Sequence, residues 1–232
     1  MNVAAAALAA LLLTLPASVQ ARRLLIGRSV EGRPIESVEL GDPHSDDKLL
    51  VVGCIHGNEC AGLAIVRALE RLPMPAGLDL WVIENLNPDG QEAGARQNAH
   101  GVDLNRNFPW AWRPLSGIYN SGPRPLSEPE SRVAYHLILR VRPRLSIWFH
   151  QHERVVDESG GNIAIERRFA ALVGLPLRRL PREPGSAVGW ENHRFPGTTA
   201  FVVELPAGSL PPAAAARYAR AVLAVASAQK AH

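Results

Sequence analysis

A histidine and a glutamate stand three positions apart in the segment His56-Gly-Asn-Glu59. Side chains at this spacing can point to the same side of one helical turn, so an imidazole and a carboxylate placed there can bind one metal ion. A catalytic zinc site needs three protein ligands, in some enzymes two histidines and a glutamate, and leaves a further position for water. The segment therefore predicts two ligands of a zinc site and requires a third from elsewhere in the chain.

Two histidines further along the chain can provide that third ligand. His150 directly follows the apolar run at residues 145–149, and His152 comes two positions later. Residues two apart on an extended strand point to the same face, so both imidazoles can reach the same point. Strand geometry alone leaves the choice between them open.

The elements that would carry these residues alternate between strand and helix. Apolar, β-rich runs predict strands at residues 48–54, 78–84, 145–149 and 198–205. Helical spacing and end signals predict helices at residues 60–72, from Ser127 to about Arg140, and from about Pro212 onwards. This alternation predicts an α/β fold, a three-layer sandwich with a central mixed, mostly parallel sheet flanked by helices. Ligands of such sheets bind at the strand ends, where His56 and His150 are expected.

Local signals mark the ends of two of these elements. Ser127-Glu-Pro-Glu130 predicts a capping box, with Ser127 at the N-cap, proline in the first turn and Glu130 at the third helical position. Asn87-Pro-Asp-Gly90 is typical of a turn, and it follows the second predicted strand. We therefore expect a helix start at Ser127 and a reversal of the chain after residue 84.

The chain has 232 residues, and residues 22–232 contain no repeat or linker, which indicates one compact domain. Its first 21 residues differ: an apolar run at residues 3–13 is followed by Pro16 and by small residues up to Ala21. This pattern is typical of a secretory signal peptide, and the run is shorter than the roughly 20 residues of a membrane-spanning helix. We expect a secreted or periplasmic protein whose mature chain has no integral membrane span.

The overall composition is that of an ordinary globular protein. Hydrophobic residues make up 47% and charged residues 20%, which excludes a disordered chain. The formal net charge is +3, and no long run of lysine or arginine is present. Such a weak, diffuse charge does not indicate a nucleic-acid partner.

The two cysteines, Cys54 and Cys60, bracket the His56–Glu59 segment. In an exported protein they can form a disulfide, and only one pairing exists. They can equally be two small buried side chains, because the distance between them is a matter of geometry. The sequence leaves both possibilities open.

Five short motifs occur in the order found in the zinc carboxypeptidase family. They are His56-Gly-Asn-Glu59, Asn87-Pro-Asp-Gly90, Gly101-Val-Asp-Leu-Asn-Arg-Asn-Phe108, Ser127-Glu-Pro-Glu130 and Phe201-Val-Val-Glu-Leu205. The opening Gly27-Arg-Ser-Val-Glu-Gly-Arg-Pro34 also resembles the family's first strand region. Each motif alone is a weak signal, but their shared order over residues 27–205 makes the resemblance specific.

The resemblance assigns ligands for one Zn²⁺ ion. It implies that His56 and Glu59 bind the metal together with His150, since the family's third ligand directly follows the apolar strand; His152 remains the alternative. It also implies that Asp103 orients the imidazole of His56, a common role for a carboxylate next to a metal-binding histidine.

The resemblance also assigns the groups that act on a substrate. Glu204 resembles the glutamate that takes a proton from zinc-activated water, and its apolar neighbours would raise its pKa towards that of a useful base. Arg96 resembles the arginine that stabilises the oxyanion. Asn105 and Arg106 resemble the pair that binds a substrate's terminal carboxylate, and Val188 is expected to line the side-chain pocket.

Two departures from digestive carboxypeptidases narrow the expected function. The spacing between motifs is short, and residues 181–190, which match the segment of the mobile tyrosine, contain no tyrosine. These features resemble the bacterial murein peptide amidase branch of the family. We therefore expect a monomeric zinc metallopeptidase that hydrolyses an amide bond near a free carboxylate in a peptide or murein peptide. A deacylase of N-acyl amino acids and an inactive zinc-bearing peptide-binding module remain alternatives.

Overall fold

The structure, a computed structural model, describes residues 21–227. Apart from Ala21, the predicted signal peptide lies outside the described residues, and so do residues 228–232. Among the helices at residues 21–227, none is both long enough and apolar enough to cross a membrane.

Strands and helices alternate along the described chain. The strands are β1 Arg22–Arg28, β2 Pro34–Gly41, β3 Lys48–Val52, β4 Asp79–Ile83, β5 Leu145–Asp157, β6 Leu177–Arg178 and β7 Thr199–Pro206. The α-helices are α1 Gly62–Leu69, α2 Pro88–Ala93, α3 Pro129–Val141, α4 Ile163–Val173, α5 Ala187–Arg194 and α6 Pro212–Ser227. Two short 3₁₀ turns lie at Leu104–Arg106 and Gly117–Tyr119.

The strands form one mixed sheet in the order β1-β2-β4-β3-β5-β6, with β7 paired to β5. Strands β1 and β2 are antiparallel, as are β2 and β4, whereas β3, β4, β5, β6 and β7 pair in parallel. The carboxyl ends of β3, β5 and β7 therefore meet at one edge of the sheet, where parallel sheets bind ligands. The predicted mixed, mostly parallel sheet is confirmed.

Alternate residues of the central strands pack into two separate cores. In β3, Leu49 and Val51 join a core with α1, α4 and α6, while Leu50 and Val52 join a core with α3 and α5. Strand side chains point alternately to the two faces, so an uninterrupted apolar strand buries both. Helices thus cover both faces, and the predicted three-layer sandwich is confirmed.

The capping box predicted at Ser127 is wrong. The N-cap of α3 is Glu128, with Pro129 as the first helical residue. Tertiary contacts hold the residues of the motif instead: Asn98 donates from Nδ2 to Glu128 Oε2 (2.8 Å) and to Glu130 Oε2 (3.0 Å). The Ser127 hydroxyl donates to Glu128 Oε1 (2.7 Å) rather than capping the helix. Long-range hydrogen bonds have replaced the local ones that the motif predicts.

Two other segments differ from their predicted form. Asn87-Pro-Asp-Gly90 opens the short helix α2, and the Asn87 side chain caps it by accepting from the Gly90 amide (2.9 Å). Strand β5 extends past residue 149 to Asp157, and beyond His152 its pairing with β7 turns back, with Val155 opposite Glu204 and Val156 opposite Val203. The added length includes His150 and ends at Asp157.

Candidate metal centre

The loop that follows β3 carries the first two predicted ligands. A disulfide between Cys54 and Cys60, with 4.8 Å between their Cα atoms, closes this loop around His56 and Glu59. The open question about the two cysteines is thus resolved in favour of a disulfide. The cross-link restricts the loop before any ligand binds.

Glycine lets this loop lie directly against helix α2. A Cβ atom on Gly57 would stand 1.9 Å from the carbonyl carbon of Gly90, closer than any side chain allows. Two of the sequence motifs therefore pack backbone to backbone, and Gly57 is required for that approach.

Three ligand atoms converge at this edge of the sheet. His56 Nδ1 lies 3.0 Å from Glu59 Oε2, and His150 Nδ1 lies 3.2 Å from His56 Nδ1 and 3.3 Å from Glu59 Oε2. The potential ligand atoms of these residues all lie within 4.8 Å of one another. His152 is exposed and lies in the wall of the neighbouring cavity, outside this group.

The environment of His56 fixes which of its nitrogens is free to bind a metal. Its Nε2 lies 2.9 Å from Asp103 Oδ1, which orients the ring and favours a proton on Nε2. Burial by itself would lower the pKa of His56, but the carboxylates of Asp103 and Glu59 outweigh it and raise that pKa. With Nε2 committed to Asp103, Nδ1 is the ring nitrogen that faces Glu59 and His150.

The same cluster shifts the other two ligands towards their metal-binding forms. Burial lowers the pKa of His150 to about 4, so its imidazole is neutral at pH 7. Burial opposes ionisation of Glu59, yet the imidazoles of His150 and His56 lower the pKa of this carboxyl below its usual range. Two imidazoles and one carboxylate are a donor set that zinc accepts.

The donor arrangement fits a divalent cation. The Nδ1 atoms of His56 and His150 face each other across 3.2 Å, and two lone pairs at that distance repel unless a proton or a cation lies between them. Among residues 21–227, the three side chains form the one such cluster of potential ligands. His56, Glu59 and His150 therefore form a possible metal site.

Glu204 lies on β7 in register with His150 on β5. Burial, reinforced by the carboxylate of Glu59, raises the pKa of Glu204 to about 7. Its Oε2 atom is buried and has no hydrogen-bond partner among the described residues. The carboxyl group thus borders the cavity and keeps one buried oxygen without a partner among the described residues.

Arg96 links the metal cluster to its supporting carboxylate. It donates from Nη1 to Glu59 Oε1 (2.6 Å) and from Nε to Asp103 Oδ2 (2.9 Å). Its guanidinium also lines the cavity beside the predicted metal ligands. Positive charge is therefore held next to the three convergent ligand atoms.

Asn105 and Arg106 lie in a 3₁₀ turn on another wall of the cavity. The Asn105 side chain accepts a hydrogen bond from the Ala187 amide (2.9 Å), which ties the turn to helix α5. Arg106 Nη2 lies 3.4 Å from Oε2 of the exposed Glu183, while its buried Nε has no partner among the described residues. The guanidinium is thus preorganised and already faces a carboxylate.

One cavity of about 340 Å³ unites these groups. Seven of the eight predicted site residues line it. The eighth, Asp103, contacts the imidazole of His56 instead. Val188 lines the cavity too, as expected for a side-chain pocket. This volume lies within the range of sites that bind small molecules, roughly 300–1,000 Å³.

Sequence reasoning missed several cavity residues, and three of them contact charged groups of the site. Tyr119 places its ring over the guanidinium groups of both Arg96 (5.5 Å) and Arg106 (5.3 Å). Asp157 and Arg182 form an ion pair (2.9 Å) in a further part of the cavity wall. None of the three lies in one of the sequence motifs. The one sequence feature that could have indicated Tyr119 is an aromatic residue in a polar loop, which is a weak signal for a binding site.

Comparisons with known proteins agree with this site. The profile of the zinc carboxypeptidase family matches residues 76–163. Murein peptide amidase A of Vibrio campbellii is 32% identical over 197 residues, which are 78% of this chain and 77% of that protein.

Murein peptide amidase A of Escherichia coli is 33% identical over 146 residues, 57% of this chain. The match spans 60% of the Escherichia coli protein, less than two thirds of its length. The crystal structure of the murein-tripeptide amidase from Escherichia coli O157 superposes with a TM-score of 0.73 and 25% identity, covering 93% of this chain and 94% of that one.

Proposed function

Because this chain belongs to the zinc carboxypeptidase family, we propose that it is a zinc-dependent hydrolase of peptide amide bonds near a free carboxylate. One observation carries the proposal: the cluster of His56, Glu59 and His150 shares a cavity with Glu204 and Arg106. A metal site, a base and a carboxylate-binding group thus border the same space.

His56, Glu59 and His150 would hold one zinc ion. When bound, zinc supplies a Lewis acid that acidifies a water molecule and polarises the scissile carbonyl. The chain's contribution is to hold these three ligands in position through the disulfide-closed loop and through Asp103.

Glu204 is the general base of this proposal. Its pKa of about 7 lets it accept a proton from the attacking water near neutral pH and return it to the departing amine. Support for this role comes from the position of Glu204 in the cavity wall beside the predicted metal ligands. This proton transfer completes the hydrolysis: the proton from water ends on the departing amine, and the oxygen from water ends in the new carboxylate.

Arg96 and Arg106 have separate roles in binding the substrate. Arg96 places positive charge beside Glu59, where the carbonyl oxygen becomes an oxyanion during attack. Arg106, with Asn105, would bind the free carboxylate of the released residue, for which a guanidinium group offers two parallel donors. The carboxylate of Glu183 lies 3.4 Å from Arg106, and a substrate carboxylate would take its place.

The favoured substrate is a murein peptide, cut at the amide between γ-linked D-glutamate and diaminopimelate. Support comes from the relatives, which are named as murein peptide and murein-tripeptide amidases. The predicted signal peptide and the Cys54–Cys60 disulfide favour an exported, oxidising location, where such peptides are found. We propose a secreted or periplasmic monomer.

The test is a direct assay of the zinc-loaded protein. Purified protein with one equivalent of zinc is incubated with L-alanyl-γ-D-glutamyl-meso-diaminopimelate, and free diaminopimelate is measured by mass spectrometry. Release is expected with the wild type and not after removal of zinc by a chelator. A panel of C-terminal peptides and N-acyl amino acids is assayed in parallel.

The parallel panel separates the alternatives. No product from the tripeptide or from any C-terminal peptide would contradict the proposal. Turnover of N-acyl amino acids alone would favour a deacylase, and peptide binding without turnover would favour an inactive binding module.

A further inference from the structure

Asp157 and Arg182 form an ion pair in the cavity wall. Neither residue has a role in the proposed mechanism. Asp157 is the last residue of β5, and Arg182 lies in the segment between β6 and α5. Arg182 donates from Nη1 to Asp157 Oδ2 (2.9 Å), and both residues line the cavity. The two residues are distant in the sequence, so they form this pair only in the folded chain.

The carboxylate of Asp157 already accepts three hydrogen bonds. Its Oδ1 accepts from the Leu180 amide (2.8 Å), and its Oδ2 accepts from the Ser159 hydroxyl (2.6 Å) as well as from Arg182. Only 6% of Asp157 is exposed. A buried carboxylate with these partners holds Arg182 in place and is not available to bind a cationic substrate group.

The guanidinium of Arg182 is the charge that a ligand can reach. Its side chain is 44% exposed, and among the described residues it donates only to Asp157 and to the carbonyl oxygen of Glu158. A guanidinium has five N–H donors, so donors remain for a carboxylate. Two exposed carboxylates, Glu153 and Glu183, also border the cavity, and neither forms an ion pair with Arg182 among the described residues.

Arg182 and Arg106 hold separate positions in the same cavity. Arg106 is fixed in the turn beside Asn105 and under the ring of Tyr119, whereas Arg182 is tied to the end of β5. Val188 and Val202 supply apolar wall to the same space. Besides Arg96, which is paired with Glu59 and Asp103, the cavity therefore offers two cationic groups to one substrate, which suits a released residue that has two carboxylates.

We propose that Arg182 binds a carboxylate at the end of the released residue's side chain and thereby selects acidic side chains over neutral or cationic ones. This inference rests on the proposed hydrolase function and specifies its substrate class. Diaminopimelate fits this requirement, since its side chain ends in a carboxylate as well as an ammonium group. Lysine has the same side chain without that carboxylate.

The experiment compares two tripeptides that differ only in this group. L-Alanyl-γ-D-glutamyl-meso-diaminopimelate and L-alanyl-γ-D-glutamyl-L-lysine are assayed with zinc-loaded wild type, Arg182→Met and Arg179→Met. Arg179 is exposed and does not line the cavity, so its variant is the matched control. Binding of free meso-diaminopimelate and free L-lysine is measured by calorimetry in parallel.

The wild type is expected to prefer the diaminopimelate peptide. In Arg182→Met, the ratio of the two kcat/KM values should fall roughly 10- to 100-fold, the range for loss of a charge-assisted hydrogen bond. Arg179→Met should keep the wild-type ratio. The affinity for free diaminopimelate should fall in Arg182→Met, and the affinity for free lysine should change less.

Two outcomes separate this inference from the proposed function. Hydrolysis with an unchanged ratio in Arg182→Met, or an equal loss for both peptides, would overturn the inference and leave the hydrolase function intact. Absence of any hydrolysis by the wild type would count against the hydrolase function. In that case, Arg182-dependent binding of free diaminopimelate would still support the role of Arg182, and Arg182-independent binding would overturn it.

Discussion

His150 on β5 and Glu204 on β7 occupy paired positions in adjacent parallel strands. The pairing brings a predicted metal ligand and the proposed base to the same edge of the sheet, although 54 positions separate them in the sequence. Parallel pairing makes this possible because both strands end in the same direction, so their polar ends face one cavity. The catalytic hypothesis depends on this register.

Glu204→Gln is expected to lower kcat roughly 100- to 10,000-fold, because the amide cannot accept a proton from water. Zinc content should stay at the wild-type level, since Glu204 is not one of the three convergent ligands. The control is Glu153→Gln, which alters an exposed carboxylate on the same cavity. Activity retained in Glu204→Gln would remove Glu204 as the base.

His150→Ala is expected to lower zinc affinity by more than the roughly 10- to 100-fold loss that follows removal of an outer-shell partner. His152→Ala should keep its zinc, because that exposed side chain lies outside the ligand cluster. Zinc is measured by elemental analysis after dialysis against a competing chelator. The reverse pattern would reassign the third ligand to His152.

The double variant Cys54→Ala and Cys60→Ala is expected to lower the free energy of unfolding by about 2 kcal/mol, the chain-entropy value for such a short closed loop. Zinc affinity should fall as well, because the loop carries two predicted ligands. Urea unfolding of the metal-free protein checks the first effect. Reduction of the wild type should reproduce it, and no change on reduction would argue against the disulfide.

Glu191→Gln is expected to change how stability depends on pH. Burial raises the pKa of Glu191 to about 7, while Ser146 and Trp148 donate hydrogen bonds to its carboxyl oxygens. The folded state therefore favours the protonated form. This contribution is fully present below the unfolded pKa of about 4.5 and is lost as the pH rises through about 7.

The variant should therefore match the wild type near pH 4 and be more stable at pH 8, by up to about 3 kcal/mol. Urea unfolding of metal-free protein across this pH range measures the difference. Glu92→Gln, which changes an exposed glutamate, should show no such trend. A difference independent of pH would show that folding does not shift the pKa of Glu191.

Tyr119→Ala is expected to raise KM a few-fold while changing kcat less, because the ring packs over the guanidinium of Arg106. A partly exposed cation–π contact contributes about 0.5–1 kcal/mol. Tyr119→Phe keeps the ring and should retain the wild-type KM. A defect in Tyr119→Phe equal to that of Tyr119→Ala would assign the role to the hydroxyl group instead.

Local patterns predicted much of the fold. Apolar runs located β3, β4 and β7 to within a few residues, but β5 is far longer than predicted, and no apolar run predicted β1, β2 or the short β6. The motif at residues 127–130 predicted the wrong helix cap, because Asn98, in a distant loop, donates hydrogen bonds to both glutamates of the motif. Patterns succeed where an element's own residues decide its form and fail where distant partners compete for the same atoms.

The sequence by itself determined the chemistry on offer: a histidine and a glutamate in one loop, further histidines after a strand, and a glutamate in an apolar strand. Only the tertiary structure decided which of these meet. It brought His150 to His56 and Glu59, left His152 exposed, and joined Cys54 to Cys60. It also paired Arg182 with Asp157 in the cavity wall. The physical reason is that spacing along a strand or turn sets local direction, whereas distances between segments depend on strand register and core packing.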